Sequence, residues 1–272
     1  KDPKAYPGFD AEVMADLRWS LERFVEDVAW GDKPDFRRLL LDDRVYVNRR
    51  LARFYGIEAP QGDGFVPVAL DAEHRAGVLT HPLILAAFSY HRSSSPIHRG
   101  VFLTRNVLGR TLRPPPMAIE FMDDRFDPSL TMREKVTELT AKPACMGCHA
   151  TINPLGFSLE HYDAAGRYRT IDNAKPVNAR AEYTTPDGKT IALRGPRDLA
   201  EHTANSPEAR AGFVRQLFHH AVKQSPAAYG PDTLARLDAG FAASGTHVRR
   251  LLVEIALTAA RPLDEKPVAA HP

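Results

Sequence analysis

Apolar residues recur at helical spacing along most of the chain. From Asp10 to Ala29, the residues Val13, Leu17, Leu21, Phe24, Val25 and Val28 fall three and four apart, the interval at which a helix buries one face. Val45, Val47, Leu51, Phe54 and Tyr55 form a second such set, with Gly56 as its C-terminal cap. Gly62-Asp63-Gly64 marks a loop, and Phe65 to Leu70 reads as a short strand. Ala72 to Ala87 reads as helix broken near Thr80-His81-Pro82, since a proline disfavours helical geometry in the residue before it. Ser93-Ser94-Ser95-Pro96 caps a helix from Ile97 to Leu108.

Further along, Arg113-Pro114-Pro115-Pro116 is stiff and extended, and Asp123 to Pro128 continues it as a polar loop. Thr131 and Glu134 fit a capping box for a helix carrying Val136 and Leu139 towards Lys142. Asn153-Pro154-Leu155-Gly156-Phe157 reads as a turn before a short helix ending near Tyr162. Tyr183 to Leu193, with Asp187-Gly188 at its centre, is the clearest hairpin signal. Three helices follow: one opened by Ser206-Pro207-Glu208, one through Leu234, Leu237 and Phe241, and one capped by Thr246. The predicted fold is mainly α and bundle-like, with a small β-hairpin.

Bulk properties change this picture little. A chain of 272 residues with 43% hydrophobic and 26% charged residues has enough apolar content for a full core. A net charge of +2, with no basic block, gives no reason to expect nucleic acid. The longest apolar run, Pro82 to Phe88, is far too short to span a bilayer. The chain opens on Lys1 with no signal segment in view, so it is expected to be a mature or truncated piece.

The candidate chemistry sits in Cys145-Met146-Gly147-Cys148-His149, which uses both cysteines of the chain. Cys-x-x-Cys-His is the attachment pattern of a c-type haem: two thiols bind the porphyrin and the histidine meets the iron. Two other readings compete. A thioredoxin-like redox pair needs a strand before it, and the preceding segment reads as helix. A structural zinc site needs four ligands, so it would have to recruit His149 and a distant histidine. Covalent haem assembled outside the bacterial cytoplasm would make the chain periplasmic or cell-surface.

Several runs resemble one family. Gly77-Val78-Leu79-Thr80, Ser95-Pro96-Ile97-His98-Arg99-Gly100, Pro114-Pro115-Pro116, the motif itself, Asn153 to Phe157, and Leu159 to Tyr168 are similar to planctomycete-type cytochrome c proteins. The resemblance implies a large exported bacterial protein whose C-terminal half holds domains of unknown function around one haem. It implies an N-terminal helical segment over 1–70 and a haem-binding segment over 71–170. A hairpin connection over 171–194 and a C-terminal helical segment over 195–272 complete the division. Val222-Lys223-Gln224 departs from a Gly-Arg pair common in the family.

At the iron, His149 is expected as the proximal ligand, with its second ring nitrogen donating to a backbone carbonyl of the Asn153-Pro154 turn. No methionine follows Met146, which removes the usual downstream methionine ligand. Opposite His149, His98 is taken first and His161 second. Met117 and Met122 are further candidates, with His81 and His91 weaker and an open position also possible. His219 and His220, adjacent on a helix, point about 100° apart and cannot share one metal. Arg99, Arg105 and Arg167 are candidate partners for haem propionates, and Phe157 is a candidate pocket wall. The expected function is electron transfer by a monohaem module of a larger redox protein, with a redox partner protein or small molecule. The alternative is a peroxidase-like or oxygenase-like enzyme with an open or displaceable distal site. A third is a surface binding domain in which haem is structural.

Overall fold

Asp10 starts the first helix by accepting the Val13 amide at 2.9 Å, a cap worth about 1 kcal/mol. The fold is a computed structural model that describes residues 1–62, 64–113 and 121–260. Helix α1 (Ala11–Trp30) buries Val13, Leu17, Ser20, Phe24 and Val28. Val25 lies on the exposed side, as do Trp19 and Trp30, 53% and 62% exposed.

After the short helix α2 (Arg38–Leu41) the chain departs from the predicted pattern. Val45 and Val47 belong to strand β1 (Arg44–Val47), not to a helix. Alternation decides this, because Val45 and Val47 are buried while Arg44 and Tyr46 between them are not. Asn48 then caps α3 (Arg49–Tyr55), which ends at Gly56 in the left-handed conformation. The expected strand forms as β2 (Val66–Ala69), antiparallel to β1. Residues 72–76 are not helical; a 3-10 turn over Gly77–Thr80 leads into α4 (Pro82–Ala87).

Helix α5 (Pro96–Phe102) starts at Ser95, as predicted, and passes into a π-helical turn over Leu103–Val107. The polyproline stretch and Met117 lie outside the described residues. The capping box forms: Thr131 and Glu134 bond reciprocally at the start of α6 (Met132–Leu139). Helix α7 (Pro143–Phe157) runs straight through Asn153-Pro154. The expected turn is therefore absent, and only the Pro154 amide is lost from the helical ladder.

Two short strand pairs follow, β3 (Ile171–Asp172) with β4 (Lys175–Pro176), and β5 (Ala181–Thr184) with β6 (Thr190–Leu193). The second is the predicted hairpin, with Gly188 at φ 83°. Four helices close the described chain: α8 (Pro196–Ala204), α9 (Pro207–Val222), α10 (Thr233–Ala243) and α11 (Val248–Ala260). Helix α8 has no counterpart in the predicted set. At the start of α11 the His247 ring accepts the Arg250 amide, while Thr246 turns to Asp35. The fold is mainly α with small antiparallel pairs.

Three apolar clusters hold these elements. The largest joins α2, α4, the π-helical turn, α7 and the C-terminal helices through Leu40, Leu85, Leu103, Leu155, Phe218, Phe241 and Ile255. A second joins α1, β1 and α3 to Ala164 and Ala165, and a third places Met132, Val136 and Phe157 together. Each fully buried Leu or Phe contributes about 1.5–3 kcal/mol. Cys145, Cys148 and His149 belong to none of the three.

Candidate functional site

The motif occupies the first half of α7. At helical spacing, Cys145, Cys148 and His149 stand at i, i+3 and i+4, so all three share one face. Both thiols are free and half-buried, and His149 is half-buried beside them. The same stripe continues to Ile152 and Gly156, where α5 crosses. Gly100 meets the Ile152 carbonyl and Gly156 meets the Pro96 carbonyl so closely that a methyl at either position would overlap backbone. Those two glycines bring α5 onto the motif helix.

His149 is held by a chain of hydrogen bonds whose direction can be read. Thr140, 3% exposed, donates its hydroxyl to the Val136 carbonyl at 2.8 Å. The Thr140 oxygen therefore accepts from Asn153, whose Nδ2 lies 2.8 Å away. Asn153 Oδ1 then faces His149 Nδ1 at 2.9 Å and, being an acceptor only, takes its proton. That leaves the lone pair of His149 on Nε2. The acceptor is a side-chain amide of α7, not the backbone carbonyl expected from a turn. The reason is the unbroken helix, which places Asn153 one turn beyond His149.

The remaining candidates lie elsewhere. His98 stands two residues from Gly100 on α5, about 200° around the helix. It is exposed, with its ring 5.1 Å from Tyr90. The face it occupies is not the one turned to α7. His161 follows the far end of α7, about 12 Å of helix beyond His149. Its Nδ1 lies 2.9 Å from the Arg169 carbonyl, and its ring stacks on Tyr168. His81 is buried; its Nδ1 accepts the Leu83 amide and its Nε2 meets Ser20 at 3.2 Å. Burial pushes its imidazole down to about 3. His91, His219 and His220 are exposed.

Arg99 is a core residue, 1% exposed. It donates to the carbonyls of Leu159, Tyr162, Leu85 and Asp163. Burial lowers its guanidinium to about 10, partly offset by the nearby Glu160. A propionate role is unavailable to a guanidinium so enclosed. Arg105 is exposed and bonds the Leu112 carbonyl, and Arg167 pairs with Asp163 at 2.8 Å. Phe157 packs on Met132 and Val136 under the Arg133 guanidinium, 4.4 Å from its ring. Pro154 sits half-buried within α7. Met132 is buried in that same cluster, whereas Met122 stands half-buried before a 3-10 turn.

The competing chemistries can be set against this geometry. What precedes Cys145 is a helix and a short link, not the strand a thioredoxin-like pair requires. Among the described residues, no group of three or more His, Cys, Asp or Glu side chains is gathered to hold a metal ion. A closed zinc site therefore lacks its ligands there.

Two family models match. Residues 75–172, which contain the motif, match PSCyt3, a protein of unknown function (DUF1588). Residues 1–57 match PSD4, a protein of unknown function (DUF1592). By name, both are domains associated with planctomycete-type cytochrome c. No curated protein and no solved structure matches the chain. No helix among the described residues is long and apolar enough to cross a membrane.

Proposed function

We propose that this chain is an exported c-type cytochrome module that carries one covalent haem and passes single electrons within a larger redox protein. The observation that carries the reading is the shared face of Cys145, Cys148 and His149, with the His149 Nε2 lone pair left free. Two free thiols and one imidazole of fixed orientation are the donor set a covalent porphyrin needs. A bound haem would supply one-electron redox chemistry.

The chain's own residues have separable tasks here. Cys145 and Cys148 would hold the porphyrin edge to α7, and His149 Nε2 would take the proximal position. Asn153 and Thr140 keep the imidazole from rotating. Phe157, Val136 and Met132 form the apolar surface on the α6 side of the same helix. The family names associated with cytochrome c are consistent with this reading. Attachment of haem c implies maturation outside the cytoplasm, hence a periplasmic or cell-surface place.

A second reading, an oxidoreductase with an accessible sixth position, is favoured by one observation. His98 lies off the α7-facing side of its helix and His161 is bonded at the opposite end of α7. The test is the visible spectrum of the reduced protein, produced with a c-type maturation system, with and without carbon monoxide. A low-spin spectrum indifferent to the gas identifies an electron carrier. A spectrum that shifts identifies an open iron. A colourless protein, or one that loses its colour on denaturation and extraction, overturns covalent haem altogether.

A further inference from the structure

The bonding around His149 carries a consequence beyond haem attachment, although its purpose rests on the haem reading above. Three groups form a one-way relay: His149 Nδ1–H to Asn153 Oδ1, Asn153 Nδ2–H to Thr140 Oγ1, and Thr140 O–H to the Val136 carbonyl. Asn153 and Thr140 are 6% and 3% exposed, so water does not compete for these bonds. Each link fixes the next, because the Thr140 proton is committed to a backbone carbonyl that can only accept. Reversing the Asn153 amide would set an N–H against His149 and its oxygen against a hydroxyl whose proton is already in use.

We infer that Asn153, backed by Thr140, is a positioning residue that locks His149 into the Nδ1–H tautomer before any cofactor arrives. A free histidine side chain prefers the opposite tautomer, with its proton on Nε2. The relay therefore inverts the intrinsic preference and presents the Nε2 lone pair in a fixed direction. The residues that do this lie on α7 and at the end of α6. Their packing depends on a cluster of Met132, Val136 and Phe157 that includes none of the motif. The lock is thus a property of the polypeptide alone. It also sets the electronic character of the ligand. A neutral amide acceptor draws the Nδ1 proton less strongly than a carboxylate and leaves the imidazole a weaker donor to iron.

The experiment uses the full chain made without haem maturation, labelled with 15N. Long-range 1H–15N spectra of His149 are recorded at a pH where its imidazole is neutral. The expected wild-type signal is the Nδ1–H form as the major species. Asn153→Ala and Thr140→Val are expected to return His149 towards the Nε2–H majority, whereas Thr140→Ser, which keeps the hydroxyl, retains the wild-type pattern. A wild-type His149 with its proton mainly on Nε2 overturns the lock, and so does an unfolded haem-free chain. Neither result touches the haem reading, which stands or falls on the visible spectrum. In the haem-loaded protein, Asn153→Asp is expected to lower the reduction potential and raise the iron–histidine stretching frequency. No change in either overturns the role assigned to Asn153.

Discussion

The Arg99 guanidinium lies 2.8 Å from the carbonyl oxygen of Tyr162, 63 residues further along the chain. Around this contact the fold stores its buried charge. Glu160, 2% exposed, accepts Ser94 at 3.0 Å and Arg169 at 3.2 Å, and Arg99 stands 3.8 Å from its other oxygen. Arg169 reaches on to Asp172, which accepts the Met132 amide at 2.8 Å. One network thus ties α5, the end of α7, β3 and the start of α6.

Arg99→Met is expected to destabilise the protein by about 3–5 kcal/mol, the range for removing one partner of a buried ion pair. Four carbonyls would lose a donor, and Glu160 would lose the positive charge 3.8 Å from its Oε1. Arg99→Lys should recover little, since a single ammonium cannot reach all four oxygens that the planar fork serves. Urea denaturation measures both; a loss under 1 kcal/mol for either variant contradicts this account.

Gly100→Ala is expected to cost about 1–3 kcal/mol, the usual range for overpacking. The added methyl meets the Ile152 carbonyl, which the helix cannot move without shifting the motif stripe. Gly147→Ala, with open space around the position, should be neutral or slightly stabilising in this helix. Thermal unfolding of the two variants side by side gives the comparison.

Stability should rise with pH between about 3 and 6.5 through His81. The folded state holds its ring neutral, so the unfolded chain binds the proton first as pH falls. Stability is then complete above 6.5 and is lost towards 3, at up to about 1.4 kcal/mol per pH unit. His81→Asn keeps a capping side chain for α4 while removing the titration, and should flatten that part of the curve. Denaturation midpoints across the window decide it; an unchanged slope would sink the assignment.

His98→Ala and His161→Ala are expected to leave the visible spectrum of the haem-loaded protein unchanged. One ring is exposed beside Tyr90 and the other is bonded to the Arg169 carbonyl. A switch from low to high spin in either variant would mark that histidine as the sixth ligand.

Much of this architecture could be read in the residues, and the failures have identifiable causes. Caps at Ser95, Thr131 and Ser206 were legible because each places a hydroxyl before a helix start. Asn153-Pro154 misled, because a proline punctuates strongly in sequence yet costs a long, well-packed helix only one hydrogen bond. Arg99 misled in another way. A guanidinium matches a carboxylate in a bidentate way and so suggests an anion partner, and nothing local reveals that four carbonyls from distant segments enclose it. The His149 relay was half visible: Asn153, four residues on, falls on the right face once the helix is known to continue. Thr140 belongs to a different helix, and only the packing of α6 on α7 brings it there.

Both tryptophans of the chain stand on the exposed side of α1. Their emission therefore reports solvent near one N-terminal helix and is nearly blind to the three clusters that hold the fold. That remoteness makes them useful as a ruler. A porphyrin held on α7 absorbs where tryptophan emits, so the residual fluorescence of the haem-loaded chain would measure how far that pigment lies from α1.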